Sequence, residues 1–334
     1  MSSSEVVREV EPGRRVERLA HLARLLEQSG YRFTTVTPET HRRVVGRADM
    51  QCATSLRDVF GWNLPFERSC VDAAVWGAMR EADVLASEGA LFRSTVRFAT
   101  LDDLVYLHSG FPTLDSDAVF FGPDTYRFVA LIERTLTDGA GRGVRVLDVG
   151  CGGGAGGLVA ARWLRRTGFD EPRVELVDIN PRALDYARVN VVSAGASRVE
   201  FRLADLYADT KAPLDLIVAN PPYLLDRGQR LYRHGGGRFG SALSERIVAE
   251  GLPLLAPGGA LVLYTGAPMV RGRDPFHEAV RPLVDIERYS FDYRELDPDV
   301  FGEELDDPAY RDVERIAVVG LVVRRRTAGE GRSP

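Results

Sequence analysis

Val144-Arg145-Val146-Leu147-Asp148-Val149-Gly150-Cys151-Gly152-Gly153-Gly154 is an apolar run that enters a glycine turn, and Leu214-Asp215-Leu216-Ile217-Val218-Ala219-Asn220-Pro221-Pro222-Tyr223 is a second run that enters a proline turn. Between them, Val174-Glu175-Leu176-Val177-Asp178 and Phe201-Arg202-Leu203-Ala204-Asp205 each end on an acid. A twisted parallel sheet gathers the carboxyl ends of its strands at one edge, and ligands bind there at the topological switch point. Four such strand ends therefore describe one pocket.

Two classes of ligand suit a glycine-rich strand-to-helix turn. A dinucleotide needs the bare backbone of G-x-G-x-x-G/A beside its pyrophosphate, and Gly150, Gly152 and Ala155 satisfy that pattern by themselves. Asp148, inside the strand, argues the other way, because a carboxylate there repels a phosphate and attracts a cation. S-adenosylmethionine is such a cation, with an ammonium and a sulfonium and no phosphate. Each residue also has a plain structural reading. Asn-Pro-Pro after a strand is commonly just a rigid turn. Asp178 alone is a helix cap, although Asn180-Pro181 fits that duty better, and Asp205 alone is a loop acid. Their shared register, not any one of them, raises the functional reading, and the Asn-Pro-Pro-Tyr turn decides between the two ligands.

With these motifs the chain resembles the class I S-adenosylmethionine-dependent methyltransferases, and within them the amino-methyltransferases with an N-P-P-Y turn, over about the last two thirds of its length. The resemblance implies that Asp148, Gly150, Gly152 and Gly154 cradle the methionine portion of the cofactor. It places Asp178 and Ile179 at the ribose, Asp205 and Leu206 at the adenine, and Asn220 where cofactor and acceptor meet. The likeness extends to glutamine N5-methyltransferases of the release-factor type, in which a Pro-x-x-Thr-like segment precedes the first strand, as Gly122-Pro123-Asp124-Thr125 does here.

The chemistry gives that turn a purpose. A planar amide, guanidinium or exocyclic amine has its nitrogen lone pair delocalised, and attacks a methyl group poorly unless it is held. The Asn220 side-chain oxygen and the Pro221 carbonyl can accept the two N–H hydrogens and aim the lone pair. Pro221 and Pro222 fix the backbone, so the acceptors are preorganised. The Tyr223 ring can pack on the flat group, adding about 0.5 to 2 kcal/mol if the acceptor is cationic. Most of the rate then comes from placing nitrogen and methyl in line.

The 334 residues allow two domains, and an apolar fraction of 45% is normal for a globular core. Net charge is −5 and Lys211 is the only lysine, so charge argues against broad nucleic-acid binding, though a local arginine patch escapes this count. Met1-Ser2-Ser3-Ser4-Glu5 lacks the apolar core of a signal peptide, and Ile316 to Val323 is too short to span a bilayer. A cytoplasmic, soluble protein with no membrane partner is expected. Three cysteines and five histidines show no metal-ligand spacing, and no metal is assigned.

Residues 1–115 read as a mainly helical domain with a small β segment, either a substrate-recognition module or a lid. Val16, Leu19, Leu22, Ala23 and Leu26 predict an amphipathic helix ending at Gly30, Thr37-Pro38-Glu39-Thr40 starts a second, and Asp72 to Ala86 a longer one. Leu91 to Leu107 reads as strands around a turn at Asp102-Asp103, a departure from the all-helical first domain of the release-factor enzymes. Residues 116–326 should form the methyltransferase domain, a Rossmann-like, mostly parallel α/β sheet of seven strands whose last is antiparallel by resemblance. Helices are expected at Tyr126–Leu136, Gly156–Thr167, Pro181–Ala194, Ser241–Leu255 and Asp274–Val284, and the late strands at Gly259–Thr265, Ile286–Tyr293 and Ile316–Val323. Pro257-Gly258-Gly259 should stop the fourth helix, and residues 327–334 form a flexible tail.

Asp124 or Thr125 can cap the helix at Tyr126, and Tyr126 can lie near the sulfonium. Two loops are candidates for the acceptor. Tyr232 to Gly240 reads as flexible, with Arg233 and Arg238 flanking three glycines and able to hold a carboxylate. Glu295 to Tyr310, with Glu303 and Glu304, is a solvated acidic face or a carboxylate fork for a guanidinium. The expected activity is S-adenosylmethionine-dependent N-methylation of a planar nitrogen, on a protein glutamine or on a small amino acid or metabolite such as free L-arginine. Alternatives are adenine N6-methylation of RNA or DNA and a non-catalytic cofactor-binding subunit that partners another protein. Intact Asp148, Asp178, Asp205 and Asn220 speak against the last.

Overall fold

The structure, a computed structural model, describes residues 12–328 apart from 140, 142, 170, 171, 227 and 229. The segment Met1 to Glu5 and most of the expected tail, from residue 329 on, lie outside the described residues. The chain divides into two units, one running up to Pro112 and including Arg188–Gly195, the other comprising Thr113–Ala187 and the chain from Ala196 onward.

The first unit holds helices α1 (Pro12–Gln28), α2 (Pro38–Val45), α3 (Leu56–Phe60) and α4 (Ala73–Glu81) and strands β1 (Leu85–Glu88), β2 (Leu91–Ser94), β3 (Val96–Leu101) and β4 (Leu104–Ser109). Leu19, Leu22, Ala23 and Leu26 form the buried stripe of α1, and Gly30 follows at φ +76°. Thr37 caps α2 by accepting from the Thr40 N–H at 3.2 Å. The helix expected over Asp72–Ala86 is shorter. It ends at Glu81, Asp83 takes φ +55°, and the Val84 N–H returns to the Met79 carbonyl at 3.1 Å. Such a left-handed ending reverses the chain, so Leu85–Glu88 pairs as a strand with Leu91–Ser94. The β3–β4 hairpin turns at Asp102, and the Asn190 amide serves its edge, accepting from the Leu107 N–H at 2.8 Å.

The second unit runs α5 (Pro123–Thr137), β5 (Arg145–Val149), α6 (Ala155–Arg166), β6 (Arg173–Asp178), α7 (Pro181–Ser193, which from Arg188 on belongs to the first unit), β7 (Val199–Leu203), β8 (Leu214–Ala219), α8 (Ala242–Gly251), β9 (Leu255–Met269), α9 (Pro275–Val280), β10 (Tyr289–Asp297) and β11 (Arg315–Arg325). Its seven strands lie in the order β10-β11-β9-β8-β5-β6-β7, parallel from β9 through β7, with β11 antiparallel to both neighbours. The last strand is thus antiparallel to the parallel set, the Rossmann-like arrangement expected. From β5 the chain builds outward through β6 to β7, then crosses back to lay β8 on the other side of β5. Strand order therefore reverses between β5 and β8, and the pocket of an open α/β sheet forms at their carboxyl ends.

Three stretches of this unit depart from expectation. Pro257-Gly258-Gly259 does not stop a helix. The helix ends at Gly251, a 3-10 turn covers Leu252–Leu254, and β9 already begins at Leu255. The three residues form an irregularity inside the strand, where pairing jumps from Leu214–Leu255 to Leu216–Ala260, Gly258 takes φ +80°, and the bare Gly259 lies against the Leu214 carbonyl. In addition, β10 is shifted forward to Tyr289–Asp297, and α9 is a short helix capped by Asp274 and followed by a 3-10 turn, Arg281–Leu283.

Gly157 sets how closely α6 packs on the sheet. A Cβ there would lie 2.6 Å from Leu176, 2.9 Å from Val174 and 3.3 Å from the Asp148 side chain. Gly157→Ala should therefore destabilise the folded chain by about 1–3 kcal/mol, the usual cost of overpacking, and denaturant unfolding of the two proteins measures it.

Candidate active site

The glycine turn is held from both sides by carboxylates. Gly150, Gly152 and Gly154 have φ of +66°, +53° and +80°, in the left-handed region that costs glycine nothing. The Asp148 carboxylate, 1% exposed, accepts the Gly157 N–H at 2.7 Å and so anchors the first turn of α6. The Asp178 carboxylate accepts the Gly152 N–H and the Asn180 N–H, each at 2.8 Å, and ties the turn after β5 to the turn after β6. Asn180, not Asp178, faces into the start of α7, its side-chain oxygen taking the Arg182 N–H at 3.0 Å.

What the turn leaves open is also informative. A Cβ on Gly150 or Gly152 would meet no atom within 4 Å, so their bare backbone faces free space. Ile179, next to Asp178, is 58% exposed, an apolar surface at the strand end. Asp205 is exposed and pairs with Arg246 at 3.1 Å, which in turn holds Glu250 at 2.9 Å. Leu206 takes φ +48° and buries its side chain, so only its backbone is available at this edge. Bare backbone, an apolar ledge and acids, without a cationic side chain on the glycine turn, fit a cationic nucleoside better than a pyrophosphate.

The proline turn lies beside the glycine turn because β8 pairs with β5, Ala219 opposite Val149. The Asn220 side chain is half-buried and has no hydrogen-bond partner among the described residues. Tyr223 is 6% exposed, so its ring is not a free platform. It rests on the bare α-carbon of Gly266, where any Cβ would collide with it, and Phe301 lies 6.0 Å away at 59°. Its hydroxyl donates to Asp124 at 2.8 Å, as does the Tyr264 hydroxyl. Burial pushes both phenols above their usual range, and burial pushes Asp124 up against the two hydroxyls and Arg127 that pull it down.

The segment before α5 differs in detail from expectation. Gly122 is the N-cap, and Thr125 Oγ1 accepts its N–H at 3.3 Å, so Thr125 contributes to the cap and Asp124 does not. The half-buried Tyr126 sets its ring edge-on to Phe121 at 5.6 Å.

The two loops expected to meet the acceptor are joined rather than separate. Arg233 donates to Glu304 and lies 3.5 Å from Asp226, whose carboxylate also takes Arg230 Nε at 3.1 Å. The Arg230 hydrogen bonds hold Asp226 down to about 2, and burial raises Glu304 against the pull of Arg233. Arg233 and Glu304 thus satisfy each other and do not stand ready for a carboxylate or a guanidinium. The loop after Tyr223 is also less flexible than its glycines suggest. Gly235 packs on the Pro222 and Gly240 carbonyls, Gly240 on the Tyr223 carbonyl, and neither approach admits a Cβ. Arg238 remains exposed over the Phe239 ring, and Glu303 is exposed. Among the described residues no group of three or more His, Cys, Asp or Glu could hold a metal ion, and no helix is long and apolar enough to cross a membrane.

Residues 129–269 match the family model described as the methyltransferase small domain. A release factor glutamine methyltransferase from Koribacter versatilis is 35% identical over 45% of this chain and 56% of its own length. One from Deinococcus radiodurans is 39% identical over 36% of this chain and 44% of its own. The ribosomal RNA small subunit methyltransferase C of Chromohalobacter salexigens is 31% identical over 46% and 42% respectively. The chain spans about half the length of these relatives. The matches bear out the resemblance to class I S-adenosylmethionine-dependent methyltransferases.

Burial raises Asp148 from 3.8 to about 7, with Asp178 adding to the rise and the Gly157 N–H opposing it. The folded chain then binds a proton that the unfolded chain has released, so this group's contribution to stability is full below 3.8 and is lost as pH rises to about 7. In the cofactor-free protein, Asp148→Asn should gain in Tm relative to the unmodified chain as pH rises across that window, levelling off above it. Paired thermal denaturation curves read the difference.

Proposed function

We propose that this chain is an S-adenosylmethionine-dependent N-methyltransferase whose acceptor is the side-chain amide of a glutamine in a protein. The observation that carries the reading is the pairing of β5 with β8 at the switch point, which sets the open glycine turn beside Asn220-Pro221-Pro222-Tyr223. Support for glutamine comes from the relatives whose names give that substrate, and they lend nothing to free arginine.

On this reading Gly150, Gly152 and Gly154 offer backbone to the methionine end of the cofactor, Asp178 and Ile179 the ribose side, and Asp205 the adenine side. When bound, the cofactor supplies an electrophilic methyl on a sulfonium. Asp148 acts indirectly, by fixing the turn through Gly157. At the acceptor, the Asn220 side-chain oxygen and the Pro221 carbonyl take the two amide hydrogens. The nitrogen is then held with its lone pair turned toward the cofactor side, in a site whose backbone is already rigid. Tyr223 supports the turn from within, since its ring is buried and its hydroxyl engaged. Arg238, exposed and paired with no carboxylate among the described residues, is the remaining cation able to meet an acidic group on the acceptor.

The test uses methyl-labelled cofactor, the purified chain, and three acceptors offered separately: a bacterial release factor, free L-arginine and ribosomal RNA. Label on a glutamine of the release factor is expected. Label on arginine or on RNA alone overturns the reading in favour of a metabolite or nucleic-acid enzyme. Asn220→Ala should lower kcat on the order of a hundredfold or more while cofactor affinity survives, because the lost acceptor serves the substrate nitrogen. Unchanged turnover in that variant removes Asn220 from the mechanism.

A further inference from the structure

We propose that Asp124 is a positioning residue for the Asn220–Tyr223 turn, acting through the hydroxyl of Tyr223. This rests on the preceding reading of that turn as the acceptor site. Asp124 stands in the first turn of α5, where an acid ordinarily serves the helix N-terminus, yet Gly122 and Thr125 make the cap. The carboxylate faces inward instead and is 8% exposed. One oxygen accepts the Tyr223 hydroxyl and the other the Tyr264 hydroxyl, each at 2.8 Å. Arg127 lies 3.6 Å from it and reaches Asp297 at 2.8 Å, which supplies the opposite charge from the solvent side. Three elements, α5, β9 and the turn after β8, therefore meet at a single carboxylate.

Burying a carboxylate is costly unless its oxygens are satisfied, and an apolar contact would hold α5 to the sheet at less expense. A carboxylate adds direction. Pro221 and Pro222 fix the backbone before Tyr223, Gly266 lets the ring approach β9 where any Cβ would collide, and the Phe301 ring lies 6.0 Å away. The tilt of the ring within that slot is then set by its hydroxyl, and Asp124 fixes the hydroxyl. Moving the ring would move the turn, and with it the Asn220 and Pro221 oxygens that have to meet the acceptor nitrogen. Tyr264, which belongs to β9 and not to the 220–223 turn, completes the carboxylate through its other oxygen.

The experiment compares Asp124→Ala, Asp124→Asn, Tyr223→Phe, Tyr264→Phe and the Asp124→Ala/Tyr223→Phe double variant in the full chain. Steady-state kinetics use a release factor as acceptor, cofactor affinity is read by calorimetry, and hydrogen exchange follows the 220–226 segment without any acceptor. Asp124→Ala should lose on the order of tenfold to a hundredfold in kcat with cofactor affinity held within about twofold. Asp124→Asn should recover most of the loss, because its amide can accept from one tyrosine and donate to the other. Tyr223→Phe should match Asp124→Ala, the double variant should be no worse than either, and exchange in the segment should rise in all three.

Wild-type kcat in Asp124→Ala, independent multiplication of the two losses, or a Tyr264→Phe defect as large as that of Tyr223→Phe would overturn the proposal. Should Asp124→Ala fail to fold, a fully active Tyr223→Phe overturns it equally. Should the unmodified chain methylate no release factor, the acceptor assignment falls, and hydrogen exchange alone decides the role of Asp124. Unchanged protection of the segment in Tyr223→Phe then refutes it.

Discussion

The hydrogen bond from the Gly157 N–H to the Asp148 carboxylate, 2.7 Å long and shielded from water, is the constraint on which the site is built. It exists because residue 157 has no side chain: α6 can then settle close enough to β5 for a backbone N–H to reach a strand carboxylate. That close seat fixes where the glycine turn ends, and Asp178 fixes its middle through Gly152. The result is a strand-to-helix turn of bare backbone, held at two points and open above Gly150 and Gly152. Burial of Asp148 without a cationic side chain bonded to it is the cost, visible in its raised proton affinity.

The side proposed for the acceptor is built by a different device. Beside the glycine turn stands a half-buried amide, Asn220, with free hydrogen-bonding capacity, and behind it a tyrosine that is wholly engaged. The two roles are complementary. A group that must bind a substrate has to be left unsatisfied by the protein, and its neighbours have to be over-satisfied to keep it in place. Prolines at 221 and 222, the bare Gly266, the Phe301 ring and the Asp124 carboxylate are those neighbours, and Phe301 is itself held at φ +55°, a strained conformation for an aromatic residue.

Charge is used locally as well. Arg230, Asp226, Arg233 and Glu304 form one compact network in which each guanidinium has a carboxylate, joining the loop after the proline turn to the loop between β10 and β11. The Leu225 N–H adds a bond to the Tyr310 hydroxyl at 2.8 Å. A pair of loops that look mobile and oppositely charged in isolation is thus tied together by ion pairs, with Arg238 and Glu303 among the charges left exposed.

The sequence by itself determined the strand-end motifs and, in the second unit, the order of helices and strands. These are local matters: an apolar run, the turn chemistry that follows it, and the fixed spacing of cap residues. It also determined that Asn180 and Thr37 start helices, since a cap acts on its own first turn. Tertiary structure decided the rest. That Asp124 serves tyrosines 99 and 140 residues away rather than its own helix, and that Arg233 is already spoken for by a glutamate 71 residues on, are facts of proximity that no local pattern encodes. Pro257-Gly258-Gly259 reads as a helix stop by its residues and becomes a strand irregularity because β8 lies alongside to pair with it. Local chemistry states what each residue can do, and only the packed chain chooses the partner with which it does it.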